Sequence, residues 1–198
     1  MSRAPQLVLA SASPRRAELL RALGLEFIVD AARIDERRND GERPEALARR
    51  LAIEKATVVA RRRDAALPVL GADTVVVLDG RSLDKPADRD DAIAMLLALS
   101  ARTHEVVTAV AVARGDRVES EISSSRVTFR SIEHDEARAY WATGEPRDKA
   151  GGYGIQGVGG IFVRHVEGSY SGIVGLPVAP TESLLRAFGV NTWRYRGG

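Results

Sequence analysis

Short, fully apolar runs alternate along this chain with segments whose apolar residues recur every three or four positions, as buried strands interleaved with amphipathic helices do. Residues 7–10 (LVLA) predict a buried strand. A helix follows, with Ser13 at its N-cap, Pro14 in its first turn, Leu19, Leu20 and Leu23 as its stripe, and Gly24 as its stop. Residues 26–29 predict another strand and residues 35–42 a polar loop. From Pro44 to about residue 60 the spacing predicts a long helix with Leu47, Leu51 and Val58 on one face. Residues 69–78 (VLGADTVVVL) are strongly strand-like, and Asp79-Gly80 is a two-residue hairpin signal. A helix N-capped by Asp88 runs to residue 99. Two longer strands, 103–113 and 117–130, join near Gly115-Asp116, and a helix covers about 135–142. The glycine-rich stretch 144–160 leads into a strand at 161–166, a turn at 168–175 and a closing helix at 180–188. Strands and helices are mixed throughout, which predicts an α/β fold, a mixed sheet flanked by helices. No repeat, low-complexity tract or linker divides residues 1–198, so one domain is expected.

Composition narrows the function classes. At 198 residues and 44% hydrophobic, the chain is long and apolar enough for an ordinary globular core. A formal net charge of +2 gives no basis for a nucleic-acid partner. The absence of cysteine excludes a disulfide scaffold, a zinc ribbon and thiol catalysis. His104, His134 and His165 are too far apart in sequence for a histidine zinc site. No apolar run approaches a membrane span and the first residues do not form a signal peptide, so a cytoplasmic protein is expected.

Charge usage points to a site. Of 29 basic residues only Lys55, Lys85 and Lys149 are lysine. Where arginine is the default cation, these three mark positions that need a compact ammonium, and they are expected to line one cleft. Ser11, Ser13, Arg15 and Arg16 stand at a strand-to-helix turn, where hydroxyls, guanidinium forks and free N–H groups make an anion cradle. Asp73 lies inside an apolar strand, where a carboxylate is costly to ionise without a cation, metal or hydrogen bonds. A plain hairpin would set Lys85 opposite Thr74 and on the other face from Asp73, so sharing a site requires a bulge or a strand end near Lys85-Pro86. Lys55 sits at the edge of its helix's apolar face, about 40° from Leu51. Glu54, within that stripe, and Glu36, in the polar loop, are both candidates to help hold a divalent cation. Residues 152–157 match G-x-G-x-x-G but do not join a strand to a helix, which rules out a dinucleotide fingerprint. The glycines there are expected to allow backbone approach to a planar ligand, with Gln156 supplying a donor and an acceptor.

Taken in order, SASPRR, GADTVV, DKP, GEPRDKAGGYGIQG and GSYSGIVGLP resemble the Maf family of nucleoside triphosphate pyrophosphatases, over residues 7 to about 188. The resemblance implies an inosine-triphosphatase-like α/β fold with two lobes around a cleft. It implies a divalent metal (Mg²⁺ or Mn²⁺), a nucleoside triphosphate substrate, release of pyrophosphate, a cytoplasmic location and a homodimer. It places the proton acceptor on Asp73, substrate selection on Arg15, Thr74 and Gln156, phosphate contacts on Arg16, Lys55 and Lys85, and a metal ligand on Glu36 beside Asp73. Ser11, Ser13 and Lys149 complete the expected phosphate set. GYGIQG is similar to the branch acting on dTTP and UTP. The alternative is a nucleotide- or nucleic-acid-binding regulator of septum formation in which catalysis is not essential.

Overall fold

The computed structural model describes residues 4–63 and 66–193. Its strands are β1 (Leu7–Leu9), β2 (Phe27–Val29), β3 (Val69–Leu78), β4 (Arg81–Leu83), β5 (Thr103–Arg114), β6 (Arg117–Phe129) and β7 (Val163–Glu167). Its helices are α1 (Pro14–Ala22), α2 (Pro44–Arg62), α3 (Arg89–Leu99), α4 (His134–Ala142), α5 (Tyr170–Val174) and α6 (Val178–Ala187). The strands form one mixed sheet in the order β2-β1-β3-β5-β6-β7, with β4 also on β3. β1 runs parallel to β2 and β3, and the remaining pairs are antiparallel.

The register of β3 positions the site. One edge of β3 pairs continuously with β5 from Val69 to Val77. On its other edge β1 covers Val69 and Leu70, and β4 begins only at Val76. The sheet therefore forks, and Gly71–Val75 face an opening between β1 and β4. The Asp79-Gly80 turn closes the hairpin with both residues at positive φ, 51° and 75°, as a type I′ turn needs.

Alternation along β3 sorts its neighbours by face. Odd-numbered Val75 and Val77 join Val107, Ala109 and Ala111 of β5 under α2. Even-numbered Leu70 and Ala72 pack on the other face with Leu20 of α1 and Leu184 and Leu185 of α6. Val76 and Leu78 extend that face into a third cluster with Leu96 of α3, Tyr140 of α4, Phe129 and Phe162. Gly71 lets α2 lie directly on β3: a Cβ there would stand 2.3 Å from the Ala52 carbonyl oxygen.

Three expectations are corrected. Val58 is 38% exposed, whereas Leu47, Leu51, Lys55 and Val59 are buried. The alanines Ala48, Ala52, Ala56 and Ala60 press α2 onto the sheet and turn its buried stripe away from Val58. The expected strand at 161–166 starts at Val163, because Val158–Phe162 coil into a 3₁₀ helix. The turn after it contains α5, N-capped by Ser169, whose side chain accepts from the Gly172 N–H at 3.0 Å.

Candidate active site

The fork in the sheet opens into a cleft of about 820 Å³. Its lining takes in Ser11, Ser13, Arg15, Arg16, Glu36, Lys55, Asp73, Thr74, Lys85, Lys149 and Gln156. Residues far apart in sequence are thus brought to one place by the end of β1, α1, the loop before α2, α2 itself, β3, the end of β4 and the glycine-rich stretch. Glu54 is not among them; it turns outward and meets Arg50 one helical turn back at 3.3 Å. β4 stops at Leu83, and this strand end frees Lys85 to reach the cleft that holds Asp73.

Asp73 lies on the α2 face of β3, and its Oδ1 accepts from the Lys55 ammonium at 2.7 Å with both side chains about nine-tenths buried. Lys55 is thus at the centre of its helix's buried stripe, not at the edge. The same ammonium meets Glu36 Oε1 at 2.9 Å, and Glu36 is half exposed. Burial pushes the Asp73 carboxyl above the ordinary carboxylate range; Lys55 and then Arg16 oppose the rise, and Glu36 adds to it. Burial also acts to raise Glu36, but the Lys55 hydrogen bond and charge, with Lys85 and Arg16, outweigh it and leave its carboxyl lowered. Two carboxylates sharing one ammonium are therefore driven apart in proton affinity, with Asp73 the more basic.

Thr74 points to the opposite face and belongs to a second network. Thr108, fully buried, donates its hydroxyl to the Gly172 carbonyl at 2.8 Å, so its oxygen must accept from Thr74 at 2.9 Å. With its proton committed inward, Thr74 accepts from Arg16 Nη2 at 3.3 Å. Arg16 also donates from Nε to the Gly175 carbonyl at 2.8 Å and from Nη1 to Ser11 Oγ at 3.1 Å. The guanidinium is therefore fixed before any ligand arrives. Arg15 pairs with Asp148 at 3.3 Å, and Asp148 accepts from the Lys149 ammonium at 2.8 Å. Lys149 also donates to the Glu145 carbonyl at 2.5 Å. Gln156 is exposed at the cleft.

Sequence reading missed Thr108, Asp148 and Glu145. Thr108 had a signal, a hydroxyl within the apolar run of β5; the other two read as ordinary loop polarity. Deeper in, His104 Nε2 meets the Tyr153 hydroxyl at 2.8 Å, and Phe129 stands edge-on to both rings. Burial pushes the His104 imidazole down to about 4.

Among the described residues no group of three or more His, Cys, Asp or Glu side chains is arranged to hold a metal ion. The carboxylates facing the cleft near Lys55 are Asp73 and Glu36, with the ammonium between them. Magnesium-type ions commonly take one or two carboxylates and complete their shell with phosphate oxygens and water; because Lys55 already holds one oxygen of each carboxylate, such an ion would be held by the remaining oxygens of Asp73 and Glu36.

Residues 6–188 match the family described as Maf-like protein. The chain is 50% identical over 191 residues to the dTTP/UTP pyrophosphatase of Saccharophagus degradans, covering 95% of this chain and 91% of that protein. It is 51% identical over 180 residues to the dTTP/UTP pyrophosphatase of Pseudoalteromonas translucida, covering 91% of this chain and 95% of the relative. Among solved structures, a dITP/XTP pyrophosphatase from Mycobacterium abscessus aligns with 64% of this chain and 75% of its own, at 19% identity and a TM-score of 0.41.

Proposed function

We infer that this chain, which belongs to the Maf-like protein family, is a nucleoside triphosphate pyrophosphatase that hydrolyses dTTP and UTP to the monophosphate and pyrophosphate. One observation carries the activity: about 50% identity, over more than nine-tenths of the chain, with relatives named dTTP/UTP pyrophosphatase. The cleft supports it independently. A buried carboxylate of raised proton affinity, beside fixed cations, is suited to proton transfer, which a regulator that only binds nucleotide does not require.

Asp73 orients the attacking water and takes its proton as pyrophosphate leaves. Its raised affinity favours that transfer, and Lys55 at 2.7 Å favours the ionised form that can accept. Arg16, locked by Ser11, Thr74 and Gly175, offers its charge to the phosphates with little reorganisation. Lys85 and Lys149, with Arg15, Ser11 and Ser13 at the N-terminus of α1, complete the phosphate-facing surface. Thr74 acts by holding Arg16, since its proton is committed to Thr108. Gln156 reads the base: a uracil or thymine edge offers carbonyl acceptors and one N–H donor, and a primary amide can meet one of each. Asp73 and Glu36 would hold a divalent cation (Mg²⁺ or Mn²⁺), which when bound neutralises phosphate charge. We assign the protein to the cytoplasm as a homodimer on the family resemblance; among the described residues no helix is long and apolar enough to cross a membrane.

The test is pyrophosphate release from dTTP by Asp73→Asn with Mg²⁺ present. The expected loss is about 10²–10⁴-fold with nucleotide binding retained. Near-normal turnover would refute Asp73 as the proton acceptor.

A further inference from the structure

Beneath the loop that carries Gln156 lies a carboxylate for which the chemistry above has no role. Glu145 begins the 3₁₀ turn Glu145–Asp148. Its Oε1 accepts from the Tyr140 hydroxyl at 2.7 Å and the Gly159 N–H at 3.1 Å, and its Oε2 accepts from the Val158 N–H at 2.9 Å. Tyr140 in turn accepts from the Gly154 N–H at 3.1 Å. The loop is thus held at both ends by one pair of side chains, with Gln156 midway between.

The glycines belong to the same arrangement. A Cβ on Gly157 would lie 2.3 Å from Glu145 Oε2, and one on Gly159 would lie 2.5 Å from the Tyr140 hydroxyl oxygen. One on Gly154 would lie 2.7 Å from Lys149 Cε and 3.1 Å from Glu145 Oε1. Their missing side chains admit the chain's own Glu145, Tyr140 and Lys149, where sequence reading expected a planar ligand. Burial acts to raise the Glu145 carboxyl, but the bonds from Tyr140, Gly159 and Val158, with the charge of Lys149, outweigh it and keep the group lowered.

Resting on Gln156 as the reader of the base, we propose that Glu145, together with Tyr140, is a positioning residue for nucleobase selection. Neither side chain lines the cleft; together they set where the Gln156 amide stands when a base arrives. The requirement is for a carboxylate and not only for its shape. An amide at position 145 would turn one acceptor oxygen into a donor, so at least one of the three donors would have to lose or reverse its bond.

The experiment compares the wild-type protein with Glu145→Gln, Tyr140→Phe and Gln156→Ala. It measures kcat and KM on dTTP, UTP, CTP and GTP, and inhibition by pyrophosphate, which has no base. Glu145→Gln and Gln156→Ala are both expected to compress the kcat/KM preference for dTTP over CTP by about 5-fold or more, with pyrophosphate inhibition unchanged. Tyr140→Phe, which removes only the anchors at Gly154 and Oε1, should compress it less, and it carries the test if Glu145→Gln does not fold. Should Gln156→Ala change the ranking while Glu145→Gln and Tyr140→Phe preserve it, the positioning role is wrong and base reading by Gln156 stands. Equal losses on every nucleotide, accompanied by weaker pyrophosphate inhibition, would likewise reject it. If Gln156→Ala itself keeps the ranking, the base-reading assignment fails and takes this one with it.

Discussion

Replacing Lys55 by methionine keeps an unbranched side chain one atom shorter and removes the ammonium that Asp73 and Glu36 share. In the native protein Asp73 is buried and its hydrogen bond to Lys55 is 2.7 Å long. Breaking a buried ion pair from one side costs about 3–5 kcal/mol, because a charge is left without a partner. Asp73 borders an open cleft that can supply water, which puts the expected cost at the low end, about 3 kcal/mol. For a chain of this size that corresponds to a fall of roughly 6–12 °C in Tm. The deficit should shrink as pH is lowered. Asp73 already holds its proton more tightly folded than unfolded, so its ionisation opposes folding as pH rises, and without Lys55 that opposition grows. Glu36, lowered chiefly by Lys55, contributes stability at higher pH that the variant forfeits, which acts in the same direction. Thermal unfolding across a pH series, with Asp73→Asn and the double variant, closes the cycle. Lys55→Met/Asp73→Asn should be more stable near neutral pH than Lys55→Met alone. Strictly additive single effects at every pH would refute the coupling.

Three further outcomes are expected. Gln156→Glu should lower kcat/KM for dTTP and UTP by about 5–150-fold, since a carboxylate cannot donate to a base carbonyl; an unchanged nucleotide ranking in a kinetic panel would remove Gln156 from base reading. Gly71→Ala should destabilise strongly, because its methyl group meets the Ala52 carbonyl at 2.3 Å; urea unfolding with wild-type stability would contradict that contact. His104 is buried and its imidazole is held near 4, below the ordinary 6.5 of an unfolded chain. Stability should therefore fall between about pH 6.5 and 4, by up to roughly 1.4 kcal/mol per unit, and His104→Leu should flatten that part of a pH–stability curve.

How much of this was legible in sequence depends on whether the governing contacts are local. β3 and its turn were readable because alternation and the Asp79-Gly80 pair act within a few residues. Lys55 stood out because lysine is rare here, and Asp73 because a carboxylate interrupts an apolar run. The fork was not readable: it arises where β1 releases β3 after Leu70 and β4 has not yet begun, a matter of pairing between distant segments. Glu54 looked like a ligand on a helical wheel, yet Arg50 on the same helix claims it. Glu145 escaped notice because two of its partners are backbone N–H groups thirteen and fourteen residues on, which no side-chain pattern encodes.

The contact at Gly71 also bears on how such a protein can change over time. Elsewhere in the core a larger side chain can be accommodated by smaller neighbours, because side chain meets side chain and volumes can be traded. Between α2 and β3 at this point backbone meets the space of a missing Cβ, and there is nothing to trade. The helix that carries Lys55 cannot retreat from the strand that carries Asp73 without abandoning the pair. Sequence drift can therefore rework the periphery, including the loop around Gln156, while the spacing between these two charges stays anchored to the main chain.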